Sequence, residues 1–323
     1  MRAAVLHTPG EPPRYGEHPD PAEAPGTTVV AMTAAPIVPL DQLCASGTSY
    51  FGRPATPYVP GTQGVGVVET SGRWEQGTRV FLATAAGIRP GDGSFAERCS
   101  VPDDAAVPVP DGVADVDAAA LGMSAVAAWM CLTDRGRLRA GERVLVLGAG
   151  GAVGQVAVAA ARVLGAGRVV AVCRSEEAQE RARRAGADEV GPLMGDVDAL
   201  AAAFTDACGG AVDVVVDPVF GAAATAASRV LAPRGRLVNL GGASGDAAEF
   251  SSAVLRSRTA EVLGYTNATL TDDQRRDALE AVFRHAASGA LGVVHETIPL
   301  AEVTAAWERQ AAGQASARLV LTP

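Results

Sequence analysis

The chain is poor in the residues that build cross-links, metal centres and nucleic-acid surfaces. Its 323 residues include five cysteines, Cys44, Cys99, Cys131, Cys173 and Cys208. They lie far apart, are odd in number and form no CxxC pair, which excludes a disulfide framework and a readable structural zinc site. A reducing cytoplasm is the expected home. The four histidines, His7, His18, His285 and His295, show neither metal nor triad spacing and read as structural or surface residues. A formal net charge of −9 with no basic stripe excludes nucleic acid as a partner, because nothing would replace the phosphate counterions. The opening MRAAVLHTPGEPP has only four apolar residues in a row, too few for a secretory signal. No membrane span is expected either: the uncharged run 144–161 is nearly long enough, but four glycines and Gln155 split it into two short pieces. Internal repeats and low-complexity tails are missing, apart from a general excess of alanine.

What remains is the composition of a soluble globular protein, 48% hydrophobic and 20% charged, and a length sufficient for two domains with full cores. Its most informative stretch is VLVLGAGGAVGQVAVAAARVLGAGRVVAVCR, residues 144–174. Residues 144–147 are a short apolar strand that ends directly in Gly148, Gly150, Gly151 and Gly154. From Ala152 onward the pattern is helical, rich in alanine and valine, until Gly165 and Gly167 break it before a second strand at 169–172. Strand, glycine turn, helix, strand is the βαβ unit that binds a dinucleotide. Read as GxxGxxG through Gly148, Gly151 and Gly154, the cluster allows a tight turn, close approach of the pyrophosphate and close helix packing. The pyrophosphate is expected at the helix N-terminus, near Ala152 and Val153, where unpaired N–H groups and the dipole favour an anion.

The end of the second strand selects the cofactor. An acid about twenty residues past the glycines would bind the ribose hydroxyls of NAD; Arg174 stands there instead. A guanidinium pairs bidentately with a 2′-phosphate, which points to NADPH. Ser175 either adds a hydroxyl to that phosphate or caps the helix that begins at Glu176. Glu176 and Glu177 count against a nearby anion but suit a first helical turn.

In chain order, strands are expected at 1–6, 27–33, 64–69, 80–83 and 94–101, with the Pro/Gly-rich segments 8–21 and much of 35–72 as turns and loops. A helical run follows at 115–132. The second half alternates: helix 176–185, a strand near Glu189, helix 198–207, strand 213–216, helix 222–231, strands 236–240 and 261–265. That alternation implies a parallel sheet covered by helices. Gly241 and Gly242 end a strand, where open α/β sheets place their ligands. The tail reads as helix 272–288, a short strand near His295, helix 300–312 and a last strand 318–321. Trp74, Trp129 and Trp307 read as packing residues.

The blocks PLDQLCASGTSYF, YVPGTQGVGVVE, GSFAERCSVP, RAGERVLVLGAGGAVG, DVVVDPVFG, LAPRGRLVNLGGASG, LGYTNA and IPLAEVTAAWERQAAGQASARLVL, in that order, resemble the zinc-free NADPH:quinone oxidoreductase branch of the medium-chain dehydrogenase/reductase superfamily. The resemblance covers nearly the whole chain. It implies an α/β protein in which a doubly wound parallel Rossmann sheet is inserted into a β-rich, GroES-like catalytic domain. The boundaries it suggests are 1–121 and 267–323 for the catalytic domain and 122–266 for the Rossmann domain, with a cleft between them and a homodimer through the Rossmann sheets. Several positions depart from the wider family. After Gly61, Thr62 and Gln63 replace the His–Glu pair of zinc-dependent relatives, neither being a good zinc ligand, and Cys44 alone cannot hold the ion. Residues 81–97 lack the cysteines of a structural zinc lobe. Val38 stands where many quinone reductases carry asparagine, whereas Asp41 matches the family.

Without a Lewis acid, reduction of a simple ketone leaves a poorly stabilised alkoxide. Hydride addition to an enone or a quinone leaves a delocalised anion that a few hydrogen-bond donors can hold. The expected substrate is therefore a small conjugated carbonyl compound, with the cofactor supplying hydride. Tyr50 is the candidate donor, or else an aromatic wall. Asp41 either faces the cleft or has a structural role, pinning a loop or capping a helix, and Gln63 either points its amide to substrate or fills space. Ser124 is expected near the cofactor phosphate or ribose and Asn267 near the nicotinamide end; packing and turn roles are the alternatives. A rival function is an NADPH-binding structural or regulatory relative with little turnover, and a zinc alcohol dehydrogenase is more distant.

Overall fold

A computed structural model describes residues 1–49 and 51–323. The chain opens with two antiparallel strands, β1 (Arg2–Val5) and β2 (Arg14–Glu17), paired in the register Ala4↔Tyr15. The long strand β3 (Thr27–Pro36) follows, then helix α1 (Pro39–Ser46) and strands β4 (Gln63–Thr70), β5 (Arg79–Ala83), β6 (Arg98–Pro102) and β7 (Ala106–Pro108). Helix α2 (Asp115–Met130) carries non-helical backbone at Gly122, φ 39° and ψ −143°, and runs into a π-helical turn, Cys131–Arg135. The alternating half contains β8 (Arg143–Leu147), α3 (Ala152–Val163), β9 (Arg168–Cys173), α4 (Glu176–Arg184), β10 (Glu189–Pro192), α5 (Val197–Cys208), β11 (Val212–Asp217), α6 (Gly221–Arg229), β12 (Leu231–Asn239), α7 (Ser252–Arg258) and β13 (Glu261–Gly264). Helix α8 (Asp272–Ala287), β14 (His295–Pro299), α9 (Val303–Ala311) and β15 (Arg318–Thr322) complete it.

These elements form two units, Met1–Gly122 with Val293–Pro323, and Met123–Gly292. In the first, a seven-stranded sheet runs β14-β15-β3-β4-β5-β7, with β6 also paired to β3. The chain's last strand enters the middle of this sheet: β15 pairs parallel with β14 and antiparallel with β3. Leu6, Ile37, Phe95, Trp307, Leu319 and Leu321 share one core, and Val30, Met32, Val80 and Leu82 lie in a second. Burial alternates along β3 from Val30 to Ala34, and consecutive residues are buried on either side of that stretch, at Thr28–Val30 and Ala34–Pro36.

The second unit is a six-stranded parallel sheet in the order β10-β9-β8-β11-β12-β13. Strand order thus runs outward in both directions from the pair β8 and β11, which is the arrangement of the dinucleotide fold. Four of the five residues of β8 and five of the six of β9 are buried, the continuous apolar pattern of strands covered on both faces. Leu145, Leu147, Val170, Phe204, Val215 and Leu237 centre the core. At the opposite, amino end of the strands, the guanidinium of Arg236 is nearly buried. It donates to Glu142 at 2.8 and 3.0 Å and to the carbonyls of Gly136 (2.7 Å) and Arg137 (3.1 Å).

Four details differ from the sequence expectation. The loop assigned to 8–21 contains β2, whose only pattern is its pairing with β1 and Arg2 stacked over the Tyr15 ring at 4.6 Å. The loop-rich 35–72 contains α1, which begins at Pro39 and stops at Gly47 with φ 75°. Helix α7 was not anticipated; Ser251 caps it by accepting from the Val254 N–H. The boundary expected at 266/267 lies instead at 292/293, because the segment carrying α8 packs with the second unit. Its His285 ring stacks on Trp129 at 5.4 Å, and Asn267 donates to the Met123 carbonyl at 3.0 Å. The run 144–161 is split into a strand and a helix as expected. One stretch, Asp115–Arg135, is apolar and long enough to cross a membrane, but 67% of its most apolar window is buried within the protein.

Candidate functional site

The carboxyl ends of β8, β11 and β12 bring together most of the glycines singled out in the sequence. After β8 the chain turns at Gly148, whose φ of 62° is left-handed, and Gly151 caps α3 with its N–H bound to the Gly148 carbonyl. Ala152 and Val153 follow as the first helical residues, so their N–H groups have no acceptor within the helix. Two glycines here do different work. A Cβ on Gly154 would come within 2.4 Å of the Ala149 Cα and 2.7 Å of the Gly148 oxygen, so this glycine is required by packing. A Cβ on Gly151 would meet nothing closer than the Gly148 oxygen at 3.7 Å, and its φ of −77° suits any residue. Neither backbone nor packing requires a glycine at 151; the bare side faces open space at a helix N-terminus.

Beside this turn, Gly241 and Gly242 follow β12, and a Cβ on Gly241 would stand 2.8 Å from the Pro218 carbonyl oxygen. The buried Asp217 and the half-buried Asn239 organise this edge. Asp217 Oδ1 accepts the N–H groups of Val219 (3.0 Å) and Phe220 (2.7 Å), and Asn239 donates to the carbonyls of Asp217 (3.1 Å) and Gly241 (2.7 Å). Burial raises the Asp217 carboxyl above the usual range, against the pull of these bonds. Neither residue was a sequence candidate. The available signal was an acid ending the apolar run VVVD directly before a turn.

At the end of β9, Arg174 is exposed. Ser175 is the N-cap of α4, its hydroxyl accepting from the Ala178 N–H at 3.2 Å, so the capping alternative describes its position. Ser124 lies just after the break at Gly122, and Asn267 donates to its neighbour's carbonyl, that of Met123. The Asn267 Oδ1 accepts from the Tyr265 hydroxyl at 2.7 Å, so both ends of this amide have internal partners.

In the first unit, Asp41 and Gln63 are neighbours through Thr62. The buried Asp41 carboxylate accepts the Val38 N–H on Oδ2 and both the N–H and the hydroxyl of Thr62 on Oδ1, each at 2.8 Å. Burial pushes its pKa up to about 6, while these bonds and the charge of Arg318 act in the opposite direction. Asp41 thus pins the start of α1 to the start of β4. Gln63 is 2% exposed, and its amide lies so close to Gly122 that a Cβ there would approach Oε1 to 2.7 Å. Tyr50 lies outside the described residues. The catalytic zinc of zinc-dependent relatives does not fit these positions. The Thr62 hydroxyl is committed to Asp41, Gln63 offers an amide, and burial, then Asp41, pushes the Cys44 thiol up to about 11, far from a ligating thiolate.

Comparisons with known proteins agree with this architecture. The family model "Alcohol dehydrogenase GroES-like domain" matches residues 24–111, and "Zinc-binding dehydrogenase" matches 152–284. Over 298 residues the chain is 32% identical to a phenolphthiocerol/phthiocerol polyketide synthase of Mycobacterium tuberculosis; that covers 91% of this chain but only 13% of the synthase. The crystal structure of a probable oxidoreductase from Mycobacterium abscessus superposes with a TM-score of 0.86 at 30% identity, covering 100% of this chain and 99% of that one. The quinone oxidoreductase of Thermus thermophilus, solved also as its complex with NADPH, gives 0.84 at 29% identity with both chains fully covered, 100% each. Two domain models in sequence order, and full-length structural matches at this identity, establish that the chain belongs to the medium-chain dehydrogenase/reductase superfamily.

Proposed function

We propose that the protein is a zinc-independent, NADPH-dependent oxidoreductase that delivers hydride to a conjugated acceptor, an α,β-unsaturated carbonyl compound or a quinone. The observation that carries this is Gly151: a residue whose side-chain space is open, at the amino end of a twelve-residue helix, where internal structure has no use for a glycine. A dinucleotide pyrophosphate approaching the backbone supplies that use. In this reading the N–H groups of Ala152 and Val153 hold the pyrophosphate, and Arg174 pairs with the 2′-phosphate. Ser124 and Asn267 flank the ribose and nicotinamide end. When bound, the cofactor supplies the hydride.

The substrate class follows from charge. Hydride addition to a conjugated system spreads the negative charge over an enolate or a quinol, which hydrogen-bond donors can hold without a metal. Tyr50 is assigned as that donor on its chemistry, with Asp41 holding the loops at Val38 and Thr62 in place, and Gln63 offering an amide donor. Similarity to a segment of a polyketide synthase supports an unsaturated acyl chain, and similarity to a quinone oxidoreductase supports a quinone. The expected homodimer is also proposed, with β13, the last strand of the parallel sheet and bearing the exposed Val262, as its seam.

The test is NADPH consumption, in the presence of a strong chelator, on a panel of enones, enoyl thioesters, quinones and simple ketones. Turnover confined to the conjugated members supports the proposal. Chelator-sensitive oxidation of alcohols, with one zinc per chain by metal analysis, overturns it. Tight NADPH binding without turnover on any member of the panel supports the regulatory reading instead.

A further inference from the structure

The carbonyl of Gly150, in the turn between β8 and α3, is held by side chains from two different helices. Gln155 Nε2, from the first turn of α3, donates to it at 3.0 Å, and Arg181 Nε, from the middle of α4, donates at 3.0 Å. Gln155 is 5% exposed. The turn also presses on α4 with no room for a side chain: a Cβ on Gly150 would stand 2.3 Å from the Ala178 Cβ and 2.7 Å from its Cα. From beneath, the buried Cys173 thiol donates to the Ala178 carbonyl at 3.5 Å, while the N–H groups of Gly150 and Ala149 bear on its sulfur. The glycine turn is therefore clamped to the helix whose beginning carries Arg174 and Ser175.

A Gly–Gly peptide has unusual rotational freedom. If the peptide between Gly150 and Gly151 rotated, its carbonyl dipole would swing toward the place where the pyrophosphate rests and repel it. Two donors on the carbonyl oppose that rotation. One of them is a guanidinium, whose charge-assisted bond is the stronger.

We infer that Arg181 and Gln155 are positioning residues for the cofactor pyrophosphate: they fix the orientation of the Gly150–Gly151 peptide and tie the pyrophosphate turn to the 2′-phosphate end of the site. The inference rests on the dinucleotide reading above. It separates two contributions that a single affinity would merge. Arg174 serves only a cofactor with a 2′-phosphate, whereas Arg181 serves any cofactor with a pyrophosphate.

Three ligands test this by titration: NADPH, NADH and adenosine 2′-monophosphate, which has the 2′-phosphate but no pyrophosphate. Arg181→Met should raise the Kd for NADPH and for NADH by the same factor, about tenfold for one charge-assisted bond. It should leave adenosine 2′-monophosphate within about twofold. Gln155→Leu, which removes the other donor without touching α4, should act in the same direction with a smaller factor. Arg181→Gln, keeping a donor but no charge, should recover part of the loss. A merely structural role would lower the melting temperature and weaken all three ligands together, and that pattern overturns the inference. So does parent-like NADPH affinity in both Arg181→Met and Gln155→Leu. A parent protein that binds neither dinucleotide would instead overturn the reading on which the inference rests.

Discussion

Substitution of valine at Gly151 and at Gly154 should separate a binding surface from a packing contact three residues away. At Gly151 the backbone lies at φ −77° and ψ 170°, and the built Cβ meets only one atom, at 3.7 Å. Folding should therefore change by no more than about 1 kcal/mol, the scale of an N-cap exchange offset by the lost freedom of glycine. At Gly154 the Cβ would face backbone atoms at 2.4 and 2.7 Å, and backbone cannot rotate away as a side chain can. Overpacking of this kind costs roughly 1–3 kcal/mol or more, and in a domain of this size each kcal/mol lowers the melting temperature by about 2–4 °C. For NADPH the order reverses in cause. A branched side chain at Gly151 occupies the pyrophosphate position, so affinity should fall at least about a hundredfold, or roughly 2.7 kcal/mol, with the fold intact. Calorimetry and a fluorescence titration of NADPH on both variants and the parent make the comparison. If Gly151→Val binds NADPH as the parent does, or melts as early as Gly154→Val, the reasoning from open space is wrong.

Arg174→Asp should erase or reverse a preference for NADPH over NADH, worth roughly 2–4 kcal/mol for one lost guanidinium–phosphate pair and one added repulsion; equal affinities in the parent would remove the argument. Burial raises the Asp41 carboxyl from 3.8 to about 6, so the folded state keeps a proton that the unfolded chain releases. Its favourable contribution is complete below the unfolded value and is lost as pH rises through the folded one. Asp41→Asn should flatten that fall, up to roughly 3 kcal/mol between about pH 4 and pH 7, and urea melts showing equal slopes in parent and variant would contradict it. All five thiols are buried, and burial raises each. A thiol reagent at mildly alkaline pH should accordingly label none of them in the native protein and all of them in denaturant. Rapid native labelling would show that a thiol-bearing segment opens.

What was legible in the sequence depended on how local its cause is. The β8–α3–β9 unit announces itself because apolar strands, a glycine turn and an alanine-rich helix are each determined within a few residues. β2, α1 and α7 were missed because four- to eight-residue elements carry too little periodicity; pairing and capping decide them. The domain boundary was misplaced because the amphipathic pattern of α8 does not say which core receives its Leu279 and Phe283. At the candidate site, the glycines stood out, but their division of labour did not: only the neighbours of the missing Cβ distinguish Gly151 from Gly154. Contacts across sequence distance were invisible. Arg181 reaches Gly150 over 31 residues, and Asp41 reaches Thr62 over 21. Nothing in the composition of either segment marks those pairs.

The place of β15 has a consequence for the nascent chain. Val320 pairs with Pro36, and Leu321 with Ala35, a separation of 320 − 36 = 284 residues. At roughly 5–20 residues per second, a ribosome needs about 15–60 s to deliver the strand that covers this edge of β3. Within that interval the parallel sheet at 143–264 is made and can close on itself, while β6 already covers Thr27–Ala31 of this edge and its end at Ala35 and Pro36 waits unpaired. The partners of Ile37 and Phe95 in the core, Leu319 and Leu321, are still unmade. Synthesis order therefore makes the end of β3 at Ala35 and Pro36 the place in need of shielding, and a chain without β15 would leave both this end and β14 unpaired.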